Sequence, residues 1–128
     1  MTESDDVRVL IVDDQEPYRR AMTAVVEATD GFVVIGSASS GEESLAAVEA
    51  LRPQLVLMDV NLPGIDGIEA SRRLTAEPQA PVVVLLSTYD PDEFDLAGSG
   101  AATYVAKAAL EPDRLSAAWS AAVNGRPG

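Results

Sequence analysis

Acidic, hydroxyl and basic side chains follow the apolar runs of this sequence, at the points where the runs end. Asp13 and Asp14 come after the first run, and Asp59 follows the third, with a Pro-Gly turn only four residues further on. A hydroxyl pair that begins with Ser87 follows the fourth run, and Lys107 follows the fifth. An ionised group beside a buried strand is costly unless another group pairs with it. We therefore expect these side chains to meet at one edge of the fold.

Three carboxylates and one lysine predict a site for a divalent cation. If Asp13, Asp14 and Asp59 lie within about 5 Å of one another, each pair repels by roughly 3 kcal/mol at an effective dielectric constant of about 20. Lys107 supplies one positive charge against three, so either a carboxylate pKa rises or a cation binds. Oxygen ligands favour magnesium, manganese or calcium over zinc, and a few carboxylates with water in the remaining positions suit Mg²⁺ best.

A carboxylate, a magnesium ion, a lysine and a hydroxyl together indicate phosphoryl transfer. Asp59 is the best candidate nucleophile because it stands alone, whereas the pair Asp13 and Asp14 is suited to hold the metal. Asn61, two residues beyond Asp59, offers a backbone carbonyl to the same ion. Each piece also has an ordinary interpretation, since Asp pairs and hydroxyl pairs are common in turns and a lone lysine is usually a surface residue. Their shared position at one sheet edge favours the site.

Composition excludes several other kinds of chemistry. The chain of 128 residues is long enough for one domain with a hydrophobic core. It contains no cysteine and no histidine, which excludes disulfides, thiol catalysis and histidine-based sites and fits a reducing compartment. Its net charge of -12 opposes binding to a phosphate backbone, and no apolar run is long enough to span a membrane. We expect a cytoplasmic protein that does not itself bind nucleic acid.

Five short apolar runs predict the strands. They are rich in β-branched residues and leucine and do not alternate with polar residues, which is typical of parallel strands covered on both faces. The predicted strands are Val7 to Val12, Phe32 to Ala38, Leu55 to Met58, Val82 to Leu86 and Thr103 to Ala106.

Helical patterns separate the runs. Ser40 and Glu43 form a capping-box signature at the start of the second helix, and Gly125 is a candidate C-cap for the last. Alternation of strands and helices predicts an α/β fold with an open, doubly wound sheet, in which ligands bind beyond the carboxyl ends of the strands. The predicted helices are Glu16 to Thr29, Ser40 to Leu51, Asp66 to Ala76, Asp92 to Ala97 and Pro112 to Asn124.

Four motifs in this order and spacing resemble the receiver domain of two-component response regulators, over residues 7 to 124. They are VLIVDDQ, LVLMDVNLPGIDG, VVVLLST and GAATYVAKA. The resemblance implies a flavodoxin-like (βα)5 receiver fold with five parallel strands in the order 2-1-3-4-5. The sequence is similar to receivers of the LuxR/NarL type of regulator, in which the receiver precedes a DNA-binding domain.

The resemblance also implies a role for each site residue. A histidine kinase, or a small phosphodonor, would transfer a phosphoryl group to Asp59 with Mg²⁺ bound. Asp13 and Asp14 match the metal ligands, and Lys107 matches the phosphate contact. Ser87 matches the hydroxyl that moves to bond the new phosphoryl group, and Tyr104 matches the switch aromatic; the alternative for Tyr104 is a plain amphipathic residue on an edge strand.

The residue after the lysine departs from the family pattern. The family usually has a proline, often with a cis peptide bond, after the lysine, whereas Ala108 follows Lys107 here. A cis bond before a residue other than proline costs about 2.5 to 4 kcal/mol, so the backbone at this point does not follow from the resemblance.

Three other interpretations compete with a phosphorylated receiver. A phosphohydrolase with an aspartate nucleophile would show D-x-D after the first strand, whereas the acids here are adjacent. A flavin-binding module would show hydroxyls and amides at that point. A pseudo-receiver that signals through protein contacts alone is more credible, although all the matching phosphorylation residues are present.

The resemblance bounds the domain and its partners. Residues 1–6 are expected to be a disordered acidic N-terminus, 7–124 the receiver domain, and 125–128 a tail or the start of a linker. The implied partners are a histidine kinase and a second copy of the chain in a homodimer. The domain is expected to catalyse only its own phosphorylation and dephosphorylation, in the service of transcription regulation.

Overall fold

A sheet with helices on both faces forms the protein in the computed structural model, which describes residues 6–88 and 98–124. The predicted helix Asp92 to Ala97, the predicted N-terminal disorder of residues 1–5 and the C-terminal tail with Gly125 lie outside the described residues. The elements in chain order are β1 (Val7–Val12), α1 (Glu16–Glu27), β2 (Phe32–Ala38), α2 (Gly41–Leu51), β3 (Leu55–Asp59), α3 (Gly67–Thr75), β4 (Val82–Ser87), β5 (Thr103–Ala106), a 3₁₀ turn (Lys107–Ala109) and α4 (Pro112–Asn124).

The five strands are parallel and lie in the order β2-β1-β3-β4-β5, which confirms the expected topology. The chain moves from β1 to β2 on one side and then crosses to β3 on the other, so the strand order reverses at β1. In open α/β sheets the crevice beyond this reversal is the usual ligand site. It lies between the carboxyl ends of β1 and β3.

Apolar side chains from the central strands fill a core on each face of the sheet. Val9 and Ile11 of β1 pack with α1 and α4, and Leu10 and Val12 pack on the opposite side with α2 and α3. All four are completely buried. This explains why β1 is apolar from Val9 to Val12, since neither face of the strand meets water there, whereas Arg8 near its start is exposed.

Side-chain caps fix the start of two helices. The Ser40 hydroxyl accepts a hydrogen bond from the Glu43 N–H, and the Asp66 carboxylate accepts one from Glu69 N–H. The capping box at Ser40 differs in one detail from the expected form. The Glu43 carboxylate accepts from the backbone N–H and hydroxyl of Ser39, one residue before the cap, rather than from Ser40.

Element boundaries differ slightly from the predicted ones. Helix α1 ends at Glu27, although the Thr29 hydroxyl still donates to the Val25 carbonyl at 2.6 Å. The other helices match within one residue at each end. Strands β3 and β4 extend to Asp59 and Ser87, so both polar residues are the last residues of their strands. The backbone that carries them is therefore held by sheet hydrogen bonds.

Candidate functional site

The carboxyl ends of four strands bring the predicted polar residues together. Asp13 follows β1 directly, Asp59 ends β3, Ser87 ends β4 and Lys107 follows β5. Because β1, β3, β4 and β5 are adjacent and parallel, these residues lie along one edge of the sheet. The site occupies the crevice where the strand order reverses.

Three carboxylates form the acidic part of the site. Asp13, Asp14 and Asp59 each place one oxygen so that the three oxygens lie within 4.8 Å of one another. Asp13 is completely buried and Asp59 is 3% exposed, whereas Asp14 is exposed to solvent. One carboxylate therefore opens the cluster to water, and two belong to its buried floor.

Lys107 is the positive charge of the cluster. Its Nζ lies 2.6 Å from Asp13 Oδ2 and 3.4 Å from Asp59 Oδ1, and its side chain is only 9% exposed. The residue opens the 3₁₀ turn Lys107–Ala109, and there is no cis peptide among the described residues, so the chain passes Ala108 without the bond that the family pattern suggested. The ammonium bridges β1 and β3 across the sheet edge.

Burial and charge repulsion shift the protonation of Asp59. Burial raises the pKa of its carboxyl to about 6, the nearby Asp13 carboxylate adds to the rise, and Lys107 opposes it. The Asn61 backbone N–H, which donates to Asp59 Oδ1 at 3.3 Å, also favours the ionised form. A carboxylate with this pKa remains mostly ionised at neutral pH. Its repulsion from the Asp13 carboxylate and the cost of its burial are then only partly offset by Lys107.

The cluster fits a small divalent cation. Three carboxylates face one ammonium, and every candidate ligand atom is an oxygen, which is the donor set that Mg²⁺ and Ca²⁺ prefer. Asp13 also accepts a hydrogen bond from Gln15 N–H at 2.9 Å, which fixes the orientation of its carboxylate. The three carboxylates thus form the acidic pocket that the sequence predicted.

Ser87 and Tyr104 are connected on neighbouring strands. The Tyr104 hydroxyl donates to the Ser87 backbone carbonyl at 3.4 Å, and its ring packs against the core on the α2 and α3 side. The Ser87 side chain is completely buried. The end of β4 is thus in direct contact with an aromatic residue on β5, so a movement of Ser87 would be felt by Tyr104.

Gly67 is a positioning residue that the sequence analysis missed. Its N–H donates to the Val60 carbonyl at 2.8 Å, and a Cβ at this position would overlap the Asp59 carbonyl oxygen. The first turn of α3 therefore lies directly against the backbone that carries Asp59. The glycine itself was the available signal, because a residue without a Cβ allows the backbone of another element to approach closely.

Two side chains of α1 also contact the site. The Lys107 ammonium lies over the Tyr18 ring, 3.7 Å from its centroid, and Arg19 donates to the Asp13 backbone carbonyl at 2.7 Å. Tyr18 was not among the site residues that the sequence predicted. The spacing along the chain does not predict a contact between Tyr18 and Lys107, because the two residues are far apart in the sequence.

Comparison with known proteins gives one consistent family. A family model described as the response regulator receiver domain matches residues 9–120. The response regulator GacA of Pseudomonas viridiflava is 45% identical over 105 residues, which are 80% of this chain and 49% of GacA. The transcriptional regulatory protein LiaR of Bacillus subtilis is 33% identical over 123 residues, which are 94% of this chain and 58% of LiaR. The chain thus spans about half the length of these relatives.

A solved structure has the same architecture. The signal receiver domain of NarL from Mycobacterium tuberculosis superposes with a TM-score of 0.85 at 25% sequence identity, covering 95% of this chain and 99% of that one. No helix within residues 6–88 and 98–124 has the length and apolar character needed to cross a membrane.

Proposed function

Because the chain belongs to the response regulator receiver domain family, we propose that Asp59 receives a phosphoryl group from the phosphohistidine of a histidine kinase. One Asp59 carboxylate oxygen forms a bond to phosphorus while the bond between phosphorus and the imidazole nitrogen of the donor breaks. The product is an acyl phosphate on Asp59. The domain acts on no other substrate and catalyses only its own phosphorylation and dephosphorylation.

The placement of the Asp59 carboxylate is the observation that supports this proposal most directly. It lies at the sheet edge between an acidic cluster and the Lys107 ammonium, 3.4 Å away. A pKa of about 6 leaves the carboxylate mostly ionised at neutral pH, as a nucleophile requires. Lys107 is close enough to offset the negative charge that the phosphoryl group brings.

Mg²⁺ is part of the proposal. Asp13, Asp14 and Asp59 would hold it, together with the backbone carbonyl of Asn61, and the convergence of three carboxylates supports this assignment. When bound, the ion would supply positive charge against the oxygens of the transferring group. The hydrogen bond from Gln15 N–H orients the Asp13 carboxylate at the buried floor of the site, where it could serve as a ligand.

Ser87 and Tyr104 would carry the conformational response. A phosphoryl group adds about -1.5 to -2 charge and strong hydrogen-bond acceptors beside the end of β4. We assign the Ser87 hydroxyl and Lys107 as its ligands. Tyr104 already contacts Ser87 through its hydroxyl, so its ring is placed to respond when β4 moves.

The wider role of the domain is proposed by comparison with its relatives. The name of LiaR, a transcriptional regulatory protein, supports an output that regulates transcription, and the chain matches about half of the length of LiaR and GacA. We propose residues 7–124 as the receiver, with 125–128 leading toward a linker, a cytoplasmic location and a homodimeric active form. The net charge of -12 supports an output in which this domain does not itself touch DNA.

Intact mass spectrometry after incubation with acetyl phosphate and Mg²⁺ tests the phosphorylation site. The wild type should gain one phosphoryl group, and Asp59→Asn should gain none because its side chain cannot form an acyl phosphate. Asp30→Asn is the matched control, since Asp30 is exposed and precedes β2 at the opposite edge of the sheet. Chelation of Mg²⁺ should slow the reaction in both competent proteins.

Two outcomes would overturn the proposal. An adduct that persists in Asp59→Asn would assign the chemistry to another residue. A wild type that gains no phosphoryl group, from acetyl phosphate or from a phosphorylated histidine kinase, would leave an interaction module that phosphate does not control.

A further inference from the structure

The Tyr18 ring closes one side of the pocket that holds the Lys107 ammonium. Nζ lies 3.7 Å from the ring centroid, well within the range of about 6 Å over which a cation is attracted to an aromatic face. Tyr18 is on the first turn of α1, and Lys107 is on the turn after β5. The contact therefore joins two elements that lie far apart in the sequence.

The remaining contacts of Lys107 are with carboxylates. Asp13 and Asp59 lie 2.6 and 3.4 Å from Nζ, and the side chain is only 9% exposed. These two carboxylates are also the proposed ligands of the divalent cation. A cation and an ammonium thus compete for the same oxygens, and like charges close together repel. The Tyr18 ring is not among the proposed ligands of the cation.

We propose that Tyr18 is a positioning residue that keeps Lys107 at the phosphoryl site when a divalent cation takes its carboxylate partners. This inference rests on the proposed function for the role of Lys107. The ring attracts the ammonium through its negative face and needs no ionised group, so cation binding at Asp13 and Asp59 does not remove the contact. Lys107 then meets the incoming phosphoryl group already in place.

The amine reactivity of Lys107 measures this role directly. Lys107 is the only lysine in the sequence, so acetylation by an N-hydroxysuccinimide ester has one side-chain target. Acetylation blocks tryptic cleavage at that position, which makes its rate measurable by peptide mass mapping. The α-amino group reacts in the same sample and serves as an internal reference for reagent activity.

Three substitutions separate the aromatic face from packing volume. Tyr18→Phe keeps the ring, whereas Tyr18→Leu and Tyr18→Met keep apolar volume without it. Both nonaromatic variants should acetylate at Lys107 about threefold faster than the wild type without Mg²⁺, and about tenfold faster or more with it. Tyr18→Phe should match the wild type within about twofold in both buffers. A purely structural role would not make the difference depend on Mg²⁺ or be rescued by phenylalanine.

Phosphorylation by acetyl phosphate provides a second, separate measurement. Tyr18→Leu and Tyr18→Met should react about three- to tenfold more slowly than the wild type, and Tyr18→Phe should react at the wild-type rate.

The two measurements separate failure of the proposed function from failure of this inference. If the wild type gains no phosphoryl group, the proposed function fails, while the acetylation result still decides the role of the ring. If the wild type is phosphorylated but both nonaromatic variants acetylate at the wild-type rate in both buffers, the proposed function stands and the role of Tyr18 is overturned. Urea unfolding identifies a variant that does not fold, and the other variant then carries the comparison.

Discussion

At the scale of single residues, Gly67 shows how closely the chain must pack to place the phosphoacceptor. We predict that Gly67→Ala destabilises the protein by about 1 to 3 kcal/mol, because the added Cβ would overlap the Asp59 carbonyl oxygen and α3 must shift. Urea unfolding followed by Trp119 fluorescence measures the change. Trp119 is the only tryptophan and packs edge-on against Phe32, with ring centroids 6.4 Å apart.

Gly98→Ala is the matched control for this substitution. A Cβ at Gly98 would meet no atom of residues 6–88 and 98–124 within 4 Å, so the same chemical change should leave the free energy of unfolding nearly unaltered. Equal stability of Gly67→Ala and the wild type would show that α3 moves away from β3 without cost. The close approach would then not constrain Asp59.

The residues that the sequence predicted are those whose position follows from strand ends. Asp13, Asp59 and Lys107 each terminate an apolar run, and parallel strands bring their carboxyl ends to one edge. Tyr18 and Gly67 were missed for different reasons. The Tyr18 contact depends on how α1 packs beside the turn after β5, and the Gly67 contact depends on the angle at which α3 leaves the loop, and neither is encoded in local spacing.

At the scale of elements, helix α3 is connected to the segment that leads into β5. The Ser71 hydroxyl donates to the Ser99 carbonyl at 2.9 Å, and both residues are completely buried. The Thr75 hydroxyl donates to the Ser71 carbonyl at 2.8 Å, and a Cβ on Gly100 would overlap that hydroxyl oxygen. This hydroxyl cluster fixes the path of the chain toward Tyr104 and Lys107.

We predict that Ser71→Ala costs about 1 kcal/mol of stability and loosens the start of β5. The substitution removes the closest side-chain donor to the buried Ser99 carbonyl, while Thr75 at 3.4 Å compensates only in part. Hydrogen exchange of the amides in residues 99–103 should quicken. Ser120→Ala, at an exposed position of α4, is the control and should change neither quantity. Unaltered exchange in Ser71→Ala would show that the cluster does not hold this segment.

Helix boundaries were predictable where a local capping residue sets them. Asp66, the first residue of the predicted third helix, caps α3, and α4 spans Pro112–Asn124 as expected. Helix α2 ends with Arg52 in the left-handed conformation at a φ of 53°, just before Pro53. Proline disfavours the helical region for the residue before it, so the end of α2 was visible in the sequence although the left-handed conformation was not.

At the scale of the whole molecule, the fold class followed from pattern and the strand order from resemblance. Strands such as β3 are buried along their entire length, and their unbroken apolar runs identify a sheet covered on both faces. Periodicity does not say which strands are neighbours. That information came from four motifs in fixed order, and the structure confirms the order β2-β1-β3-β4-β5.

The stability of the whole domain should depend on pH through Asp59. Its pKa is about 6 in the folded protein and near its ordinary value when unfolded, so the folded state binds a proton more readily between these values. The contribution of Asp59 therefore destabilises the metal-free protein above about pH 6 and fades as the pH falls toward about 4. Urea unfolding in chelator should find Asp59→Asn more stable than the wild type by about 2 to 3 kcal/mol at pH 7.5, and by much less at pH 4.5.

Mg²⁺ at pH 7.5 should reduce this difference in stability between Asp59→Asn and the wild type, because it stabilises the wild type. NaCl at matched ionic strength should reduce the difference less. Asp30→Asn, an exposed carboxylate, should follow the wild type; an Asp59→Asn gap that does not change with pH would refute the assignment of this repulsion to Asp59.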